Sequence, residues 1–459
     1  MIADFKPYAE YKDSGVHWLG EVPRHWTVLP AFGAFKPNKA RNIGMKEKTV
    51  LSLSYGRIVI KPAEKLHGLV PESFETYQIV NPGDIVLRTT DLQNDHTSLR
   101  VGMVRDRGII TSAYLALRAI SEVSPDYGFQ FLNVWDSSKA IYGYGSGLRQ
   151  SLEFSHFKRM PIAIPPPEEQ AAIVRFLDWS NGRLERAIRA KRKVIALLNE
   201  QKQAIIHRAV TRGLDPSVSL RPSGIPWLGP IPGHWEIVRN MSLFAHRVES
   251  GVEGLPVLQV SLRSGITPEA LDQFGRPKRL IADQTKYKRI YRQDIAYNTM
   301  RMWQGAAGVS PIDGLVSPAY VVLRPRTGIC PDFYDFIFHT DIYKQQVNRQ
   351  STGIVSDRNR LYWDSFKQMA NVALPASEQQ AIVDFIHLET RDLITAKSSL
   401  NREIDFLREY RTRLVADVVT GKLDVREAAT RLPDEELLPD LPAADDEPDD
   451  LPIEEEADA

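Results

Sequence analysis

The sequence predicts an α+β protein: two mixed α/β globules joined by two long helices that pack against each other as a coiled coil. Two observations predict this fold, because the chain repeats itself at a fixed offset and an apolar seven-residue period follows each globule. The 459 residues, 43% of them hydrophobic, are enough for two or three cores at roughly 150 residues each. We therefore expect a tandem duplication whose halves are related by an approximate two-fold axis.

Three segments recur at the same offset. SGVHWLGEVPRHW at 14–26 returns as SGIPWLGPIPGHW at 223–235, with eight of thirteen residues identical. PPEEQAAIVRFL at 166–177 returns as PASEQQAIVDFI at 375–386, and VTRGLD at 210–215 returns as VTGKLD, again 209 residues later. Because three separate segments keep one spacing, each half of the chain should build the same architecture.

The globules are assigned to residues 1–165 and 216–374. Short runs rich in β-branched and aromatic residues, such as VLSLSYGRIVI and AYLALRAI, are interrupted by Gly, Pro, Asn and Asp. This pattern is typical of short strands joined by turns. Short helices are predicted at 127–139 and 332–348, so each globule should mix helices and strands.

The segments at 166–215 and 375–430 are predicted to be long helices. Each carries five consecutive heptads of mainly apolar residues, and such a narrow stripe must be buried against another helix. Three prolines before Glu168 preset the first helix start, and Gly213 is expected to end it. At 1.5 Å per residue, about 40 residues give a rod of roughly 60 Å. The predicted seam residues are Leu177, Leu184, Leu198, Ile205, Ile386, Leu393, Leu400, Leu407 and Leu414.

The net charge of zero hides an acidic tail, assigned to residues 431–459. The last 28 residues hold 13 Asp and Glu, five Pro and no Lys or Arg, so they are expected to be disordered. Without them the chain has 58 basic and 45 acidic side chains. A body with a net charge of +13 is predicted to bind a polyanion such as nucleic acid.

Other features of the composition narrow the class of protein. The single cysteine, Cys330, excludes an internal disulfide and a cysteine-rich zinc site. The N-terminus lacks the pattern of a signal peptide, and no apolar stretch is long enough for a membrane helix. We therefore expect a soluble cytoplasmic protein that does not bind membranes.

Four loops carry the side-chain types that pair with base edges and phosphates. In the first globule they are RTTDLQNDHTSLR and the glycine-rich YGYGSGLRQS, and in the second they are NTMRMWQG and RQSTGIVSDRNR. As a set, these loops are predicted to face DNA. The candidate DNA-binding residues are Arg88, Thr89, Gln93, Asn94, Arg100, Tyr142, Tyr144, Arg149, Gln150, Asn298, Arg301, Trp303, Gln304, Arg349, Arg358, Asn359 and Arg360.

The repeated tryptophans have a different expected role. Trp18, Trp26, Trp227 and Trp235 lie eight apart within each repeat, beside Pro and Gly, and are predicted to pack the entering chain onto its own globule. The sequence contains no P-loop, no H-E-x-x-H, no G-x-S-x-G and no dinucleotide fingerprint between a strand and a helix. We therefore predict no catalytic residues and no metal site, so that any catalysis comes from partners.

The repeated opening D-S-G-x-x-W-L-G-x-x-P-x-H-W and the repeated P-x-x-E-Q-x-A-I-V-x-F resemble the specificity (S) subunit of type I restriction-modification systems. The resemblance covers residues 10–430. It implies two target-recognition domains that each read half of a split site on double-stranded DNA. They are held apart by the conserved spacer helices, which the resemblance implies to pack as an antiparallel coiled coil. It also implies two DNA methyltransferase (M) subunits as partners, with restriction/translocase (R) subunits joining through them in phage defence. S-adenosylmethionine would belong to the M subunits, ATP and Mg²⁺ to the R subunits, and no cofactor to this chain.

Two globules on a rod should place their half-sites about one helical turn apart, roughly 10 bp, with an unread gap. Because the candidate loops differ between the repeats, the site should be asymmetric. Two alternatives remain open from the residues. One is a nuclease that uses scattered carboxylates, and the other is a coiled-coil adaptor whose globules bind proteins.

Overall fold

The computed structural model describes residues 6–62, 73–90, 92, 99–120, 122–143, 152–225, 228–262, 264–268, 283–352 and 359–433. The acidic tail lies almost entirely outside these residues. The chain forms two compact units: the first comprises Met1–Lys191 and Arg402–Leu441, and the second Arg192–Asn401 and Pro442–Ala459. Both long helices are therefore shared between the units, whereas the predicted domain boundaries lie at the helix ends. None of the helices in the described part is long and apolar enough to cross a membrane.

The first repeat contains the following described elements. Its strands are β1 (Tyr11–Asp13), β2 (Glu21–Pro23), β3 (Thr27–Pro30), β4 (Phe35–Pro37), β5 (Leu51–Ser54), β6 (Arg57–Ile60), β7 (Gln78–Val80), β8 (Ile85–Leu87), β9 (Val101–Met103), β10 (Gly108–Ile110), β11 (Leu115–Ala119) and β12 (Pro161–Ile164). Its α-helices are α1 (Ala31–Ala34), α2 (Pro125–Ser137), α3 (Phe154–Phe157) and the long α4 (Pro167–Arg212).

The second repeat follows with an equivalent set. Its strands are β13 (Leu220–Pro222), β14 (Pro230–Pro232), β15 (Glu236–Arg239), β16 (Phe244–Arg247), β17 (Leu258–Ser261), β18 (Gly265–Pro268), β19 (Lys288–Ile290), β20 (Ile295–Asn298), β21 (Ala307–Val309), β22 (Gly314–Val316), β23 (Tyr320–Pro325) and β24 (Ala370–Ala373). Its α-helices are α5 (Asn240–Leu243), α6 (Pro331–Phe338), α7 (Asp341–Gln350), α8 (Trp363–Phe366), the long α9 (Ala376–Val419) and α10 (Arg426–Thr430).

Each unit is built around a four-stranded antiparallel sheet. The strand order is β4-β11-β8-β9 in the first unit and β16-β23-β20-β21 in the second, so equivalent strands occupy equivalent places. A hairpin accompanies each sheet, β5–β6 or β17–β18, together with a second strand pair, β7–β10 or β19–β22. The duplicated sequence thus builds the same mixed architecture twice, and the predicted fold class is confirmed.

Aromatic side chains dominate both cores. In the first unit Trp26, Tyr127 and Phe131 are fully buried, and Leu177 and Val418 from the long helices join the same cluster. In the second unit the corresponding cluster contains Trp235, Phe244 and Tyr334, together with Ile206 of α4 and Ile386 of α9. Each globule therefore packs on one end of each long helix, which is why the sequence needs apolar heptads next to both globules.

The shorter helices differ from their predicted bounds. The helix predicted at 127–139 is α2, which begins two residues earlier, where the Ser124 side chain accepts a hydrogen bond from the Tyr127 amide. The single helix predicted at 332–348 was wrong, because two helices occupy this stretch. The first ends at Phe338, and Thr340 caps the second by accepting from the amide of Tyr343. A capping threonine within an apolar period starts a new helix rather than extending the old one.

The long helices run antiparallel within each unit. In the first unit Glu185 and Lys191 of α4 pair with Arg411 and Glu403 of α9, with the first pair 3.4 Å apart. Residue numbers thus rise along one helix as they fall along the other. In the second unit Lys397 Nζ donates to Asn199 Oδ1 at 3.1 Å. At the end of α4, Gly213 adopts a φ of +69° and its amide donates to the Ala209 carbonyl, as expected for a glycine that ends a helix.

The predicted seam residues lie on these helices with different degrees of burial. Three of them, Leu177, Ile386 and Leu414, are buried in the clusters described above. The remaining seam residues are half-buried: Leu184, Leu198, Ile205, Leu393, Leu400 and Leu407. The predicted seam residues are therefore least exposed to solvent where a globule packs beside the helices.

Candidate nucleic-acid interface

The first candidate loop connects β8 to β9, over residues 88–100. Arg88 is half-buried, Thr89 is buried, and Gln93 and Asn94 lie outside the described residues. Arg100 closes the loop immediately before β9. The loop therefore lies where the chain passes from the central strand β8 to the antiparallel edge strand β9.

Arg100 corrects one prediction, because its side chain is 0% exposed. Its Nη1 donates to the carbonyls of Arg88 and Thr90 at 3.2 and 2.9 Å, and its Nε donates to the Tyr142 hydroxyl at 3.4 Å. An arginine whose donors are used inside the unit holds the loop in place and is not available to contact a base. The sequence pattern could not distinguish this buried role from a surface role.

The second candidate segment of the first unit begins at Tyr142, which is half-buried. Its ring lies 5.7 Å from the Arg100 guanidinium and 5.6 Å from Lys139 Nζ. The other predicted residues of this segment, Tyr144, Arg149 and Gln150, lie outside the described residues. The contact between Arg100 and Tyr142 nevertheless brings the two candidate segments of this unit together.

In the second unit the equivalent loop connects β20 to β21. Asn298 is buried, and its Oδ1 accepts a hydrogen bond from the Met300 amide at 3.0 Å, so its role in this structure is to shape the turn. Arg301, Trp303 and Gln304 are half-buried. Trp303 Nε1 donates to the Met300 carbonyl at 2.9 Å. This loop is held by its own backbone rather than by a buried arginine.

The last candidate segment begins in the last turn of α7, at Arg349. Arg349 and Arg360 are exposed, and Arg358 lies outside the described residues. Asn359 is half-buried and donates to Asn348 Oδ1 at 3.1 Å. The exposed arginines are therefore the described cations of this segment that are best placed to meet a phosphate.

In each unit the same backbone hydrogen bond joins the first candidate loop to the residue that directly follows the second candidate segment. The Leu152 amide donates to the Thr89 carbonyl in the first unit, and the Leu361 amide donates to the Thr299 carbonyl in the second, both at 2.9 Å. The connected β8–β9 and β20–β21 loops have different lengths and sequences. Each unit thus presents a different composite surface at the same place in the fold.

The repeated H-W and E-Q motifs meet at one junction in each unit. Trp26 Nε1 donates to Glu169 Oε1 at 2.9 Å, and His25 Nε2 lies 2.8 Å from Glu169 Oε2. In the second unit Trp235 and His234 contact the two oxygens of Glu378 at the same two distances. Trp26 and Trp235 are buried and Trp18 is half-buried against the first core, so the predicted packing role of these three agrees with the structure; Trp227 lies outside the described residues.

The glutamine of each E-Q pair fixes a second connection. Gln170 Nε2 donates to the carbonyls of Glu122 and Pro165, and its Oε1 accepts from the Ser124 amide. Gln379 makes the equivalent three hydrogen bonds, two as donor to backbone carbonyls and one as acceptor from the Cys330 amide. The first turn of each long helix therefore holds the helix that follows the central sheet. Sequence reasoning missed these contacts, although the repetition of both motifs at one offset was the available signal.

Tyr8 adds a further hydrogen bond to the junction of the first unit. Its hydroxyl donates to Glu169 Oε1 at 2.5 Å. Burial raises the pKa of Tyr8 above its ordinary value, and the hydrogen bond and negative charge of Glu169 raise it further. The Tyr8 hydroxyl therefore stays protonated at physiological pH and keeps donating its hydrogen bond to Glu169. Within the described ranges, no three His, Cys, Asp or Glu side chains are grouped to hold a metal ion.

No protein-family model and no curated protein sequence matches the chain. Among solved structures, a chain from a study of complex assembly and conformational transition in the type I R-M system is similar over 88% of this chain and 99% of its own, with a TM-score of 0.55 and 15% identity. The HsdS subunit from Thermoanaerobacter tengcongensis matches over 88% and 98% (TM-score 0.40, 13% identity). The type I S subunit from M. genitalium matches over 86% and 96% (TM-score 0.34, 12% identity). The chain therefore shares its fold with the chain from the type I R-M study.

Proposed function

We propose that this chain is the sequence-specific DNA-binding subunit of a type I restriction-modification complex, and that it has no catalytic activity of its own. It reads a two-part, asymmetric target with an unread gap. The observation that carries the proposal is the hydrogen bond that joins the same two places of the chain in both units while the sequences of the candidate segments differ. Two equivalent surfaces with different side chains are what two different half-sites require.

The partners follow from the same proposal. The chain binds double-stranded DNA and serves as the scaffold for two DNA methyltransferase subunits, through which restriction/translocase subunits join. S-adenosylmethionine is bound by the methyltransferase subunits, and ATP and Mg²⁺ by the restriction subunits. This chain binds no cofactor and works in the cytoplasm. Its contribution to the complex is the choice of site.

DNA binding by the full-length chain should depend steeply on salt. Phosphate contacts release counterions, so the logarithm of the affinity should fall linearly with the logarithm of the salt concentration. With about six phosphates neutralised, the affinity for a duplex of random sequence should drop about 10³-fold between 50 and 200 mM salt. Fluorescence anisotropy with a labelled duplex measures this slope. A flat response would instead support an adaptor that binds proteins.

A matched pair of variants locates the phosphate contacts. Arg349→Ala removes an exposed cation beside the candidate loop, and the salt slope should fall by about one. Arg413→Ala removes a cation that is 72% exposed on α9, where it pairs with Glu409 at 2.6 Å, and the slope should not change. Equal slopes for both variants would move the DNA surface away from α7.

A further inference from the structure

Each unit carries a two-stranded hairpin at the same place in its fold. In the first unit Ser52 pairs with Val59 and Ser54 with Arg57. In the second unit Gln259 pairs with Thr267, and Ser261 with Gly265. The two hairpins have four cross-strand pairs each, so every paired residue of one ribbon has an equivalent in the other, although the first turn has two residues and the second has three.

The inward faces of the two hairpins are alike. Side chains of a strand alternate between two faces, and the inward positions hold apolar residues in both ribbons. In the first unit Leu51 is buried, and Leu53 and Ile58 lie beside it. The equivalent residues of the second unit, Leu258, Val260 and Ile266, are all buried. Inward residues therefore attach each ribbon to its globule.

Each ribbon packs against a glycine in the edge strand of its four-stranded sheet. A Cβ atom at Gly102 of β9 would lie 2.6 Å from Cδ1 of Leu53. A Cβ atom at Gly308 of β21 would lie 2.8 Å from the backbone nitrogen of Ile266. Both distances are too short for a side chain, so the two glycines let the ribbons pack closely on the sheet. The position of each ribbon is thus built into both repeats.

The outward faces of the hairpins differ between the repeats. The first ribbon presents Ser52, Ser54, Arg57 and Val59, of which Arg57 and Val59 are exposed. The second presents Gln259, Ser261, Gly265 and Thr267 at the equivalent positions. One ribbon thus carries an arginine where the other carries a glycine, and a serine where the other carries a glutamine. The two ribbons thus keep the same apolar inward positions and differ in the hydrogen-bonding side chains of their outward faces.

The tip of the first ribbon lies beside the candidate DNA loop. Tyr55 and Gly56 turn the hairpin with φ values of 45° and 76°, and Tyr55 is 57% exposed. A Cβ atom at Gly56 would lie 3.2 Å from the side chain of Leu99. Leu99 is the second-last residue of the connection between β8 and β9. The tip of the ribbon therefore lies next to the end of the β8–β9 loop, one residue before Arg100.

From this arrangement we infer that the β5–β6 and β17–β18 hairpins enter the major groove and read bases, one ribbon for each half-site. A two-stranded ribbon fits the major groove, which is about 12 Å wide. Arginine pairs with guanine and glutamine with adenine, while serine and threonine hydrogen-bond to several bases. The inference rests on the proposed function and adds the residues that distinguish the two halves of the target.

The test is selection of binding sites from a randomised double-stranded DNA library by the full-length chain. Arg57→Ala should reduce discrimination by about tenfold or more at a base pair of one half-site and leave the other half unchanged. Gln259→Ala should do the same in the opposite half-site. The control is Arg24→Ala, a residue of the first unit that is 71% exposed and pairs with Glu10 away from the ribbon. This control should select the wild-type site.

The outcomes separate the inference from the proposed function. If both ribbon variants select the unchanged wild-type site, the ribbons do not read bases, although the proposed function stands. If both variants alter the same half-site, the assignment of one ribbon to each half is overturned. If the wild-type chain enriches no sequence, the proposed function fails, and the inference fails with it.

Discussion

Replacing Glu169 with alanine is expected to lower the free energy of unfolding of the first unit by about 3–5 kcal/mol. The carboxylate is 5% exposed and accepts hydrogen bonds from Trp26 Nε1 and the Tyr8 hydroxyl. Alanine leaves both buried donors without this acceptor, and each loss costs about 1–3 kcal/mol. The contact between the carboxylate and His25 is lost as well.

The second repeat provides the matched comparison. Glu378 makes the equivalent contacts to Trp235 and His234, but its side chain is 26% exposed, so water can replace the carboxylate. Glu378→Ala should therefore cost only about 1–3 kcal/mol in the second unit. Native-state hydrogen exchange measures the free energy of opening in each unit separately. This is needed because a chain of two units does not have to unfold in one transition. Equal losses in the two units would contradict the account of this junction.

Replacing Ile386 with aspartate is expected to destabilise the second unit by about 3–5 kcal/mol. Ile386 is fully buried on α9, in the cluster that also contains Ile206 of α4 and Trp235 of the globule. A carboxylate there would be buried without a partner, which is far more costly than losing apolar contact alone. The effect should appear as faster hydrogen exchange in α9 and in the end of α4.

Leu388→Asp is the control for this substitution. Leu388 lies two residues further along α9, and its side chain is 61% exposed. A surface substitution of this kind normally changes stability by no more than about 0.5 kcal/mol. Native-state hydrogen exchange of α9 compares the two variants directly. If Leu388→Asp is as destabilising as Ile386→Asp, the seam does not face the partner helix as described.

The parts of the fold that repeat in the sequence were predictable from it. The three segments at one offset predicted two equal globules, and the heptads predicted two long helices that pack together. The glutamates in the first helical turn were expected only to favour the helix start. Their contacts with Trp26 and Trp235 join residues more than 140 positions apart, so no local pattern indicates them. The split between α6 and α7 depends on one capping residue, Thr340, inside an apolar period.

The candidate interface was only partly predictable for a similar reason. Residue type suggested that Arg100 faces DNA. In the structure its side chain is buried, and its guanidinium donates hydrogen bonds to two carbonyls of the loop. Conversely, Arg57 and Gln259 belong to runs that were assigned only as strands. Their outward orientation depends on the pairing register and on the glycines beneath the ribbons, neither of which the sequence pattern displays.

The central claim is that this chain selects the DNA sequence on which its partners act. The most direct measurement is a genome-wide methylation map of cells that express it together with its cognate DNA methyltransferase, compared with cells that lack only this chain. The account predicts a gapped, asymmetric, two-part methylated motif that disappears when the chain is removed. If no methylated motif depends on the chain, or if the dependent motif is ungapped or palindromic, the account is contradicted.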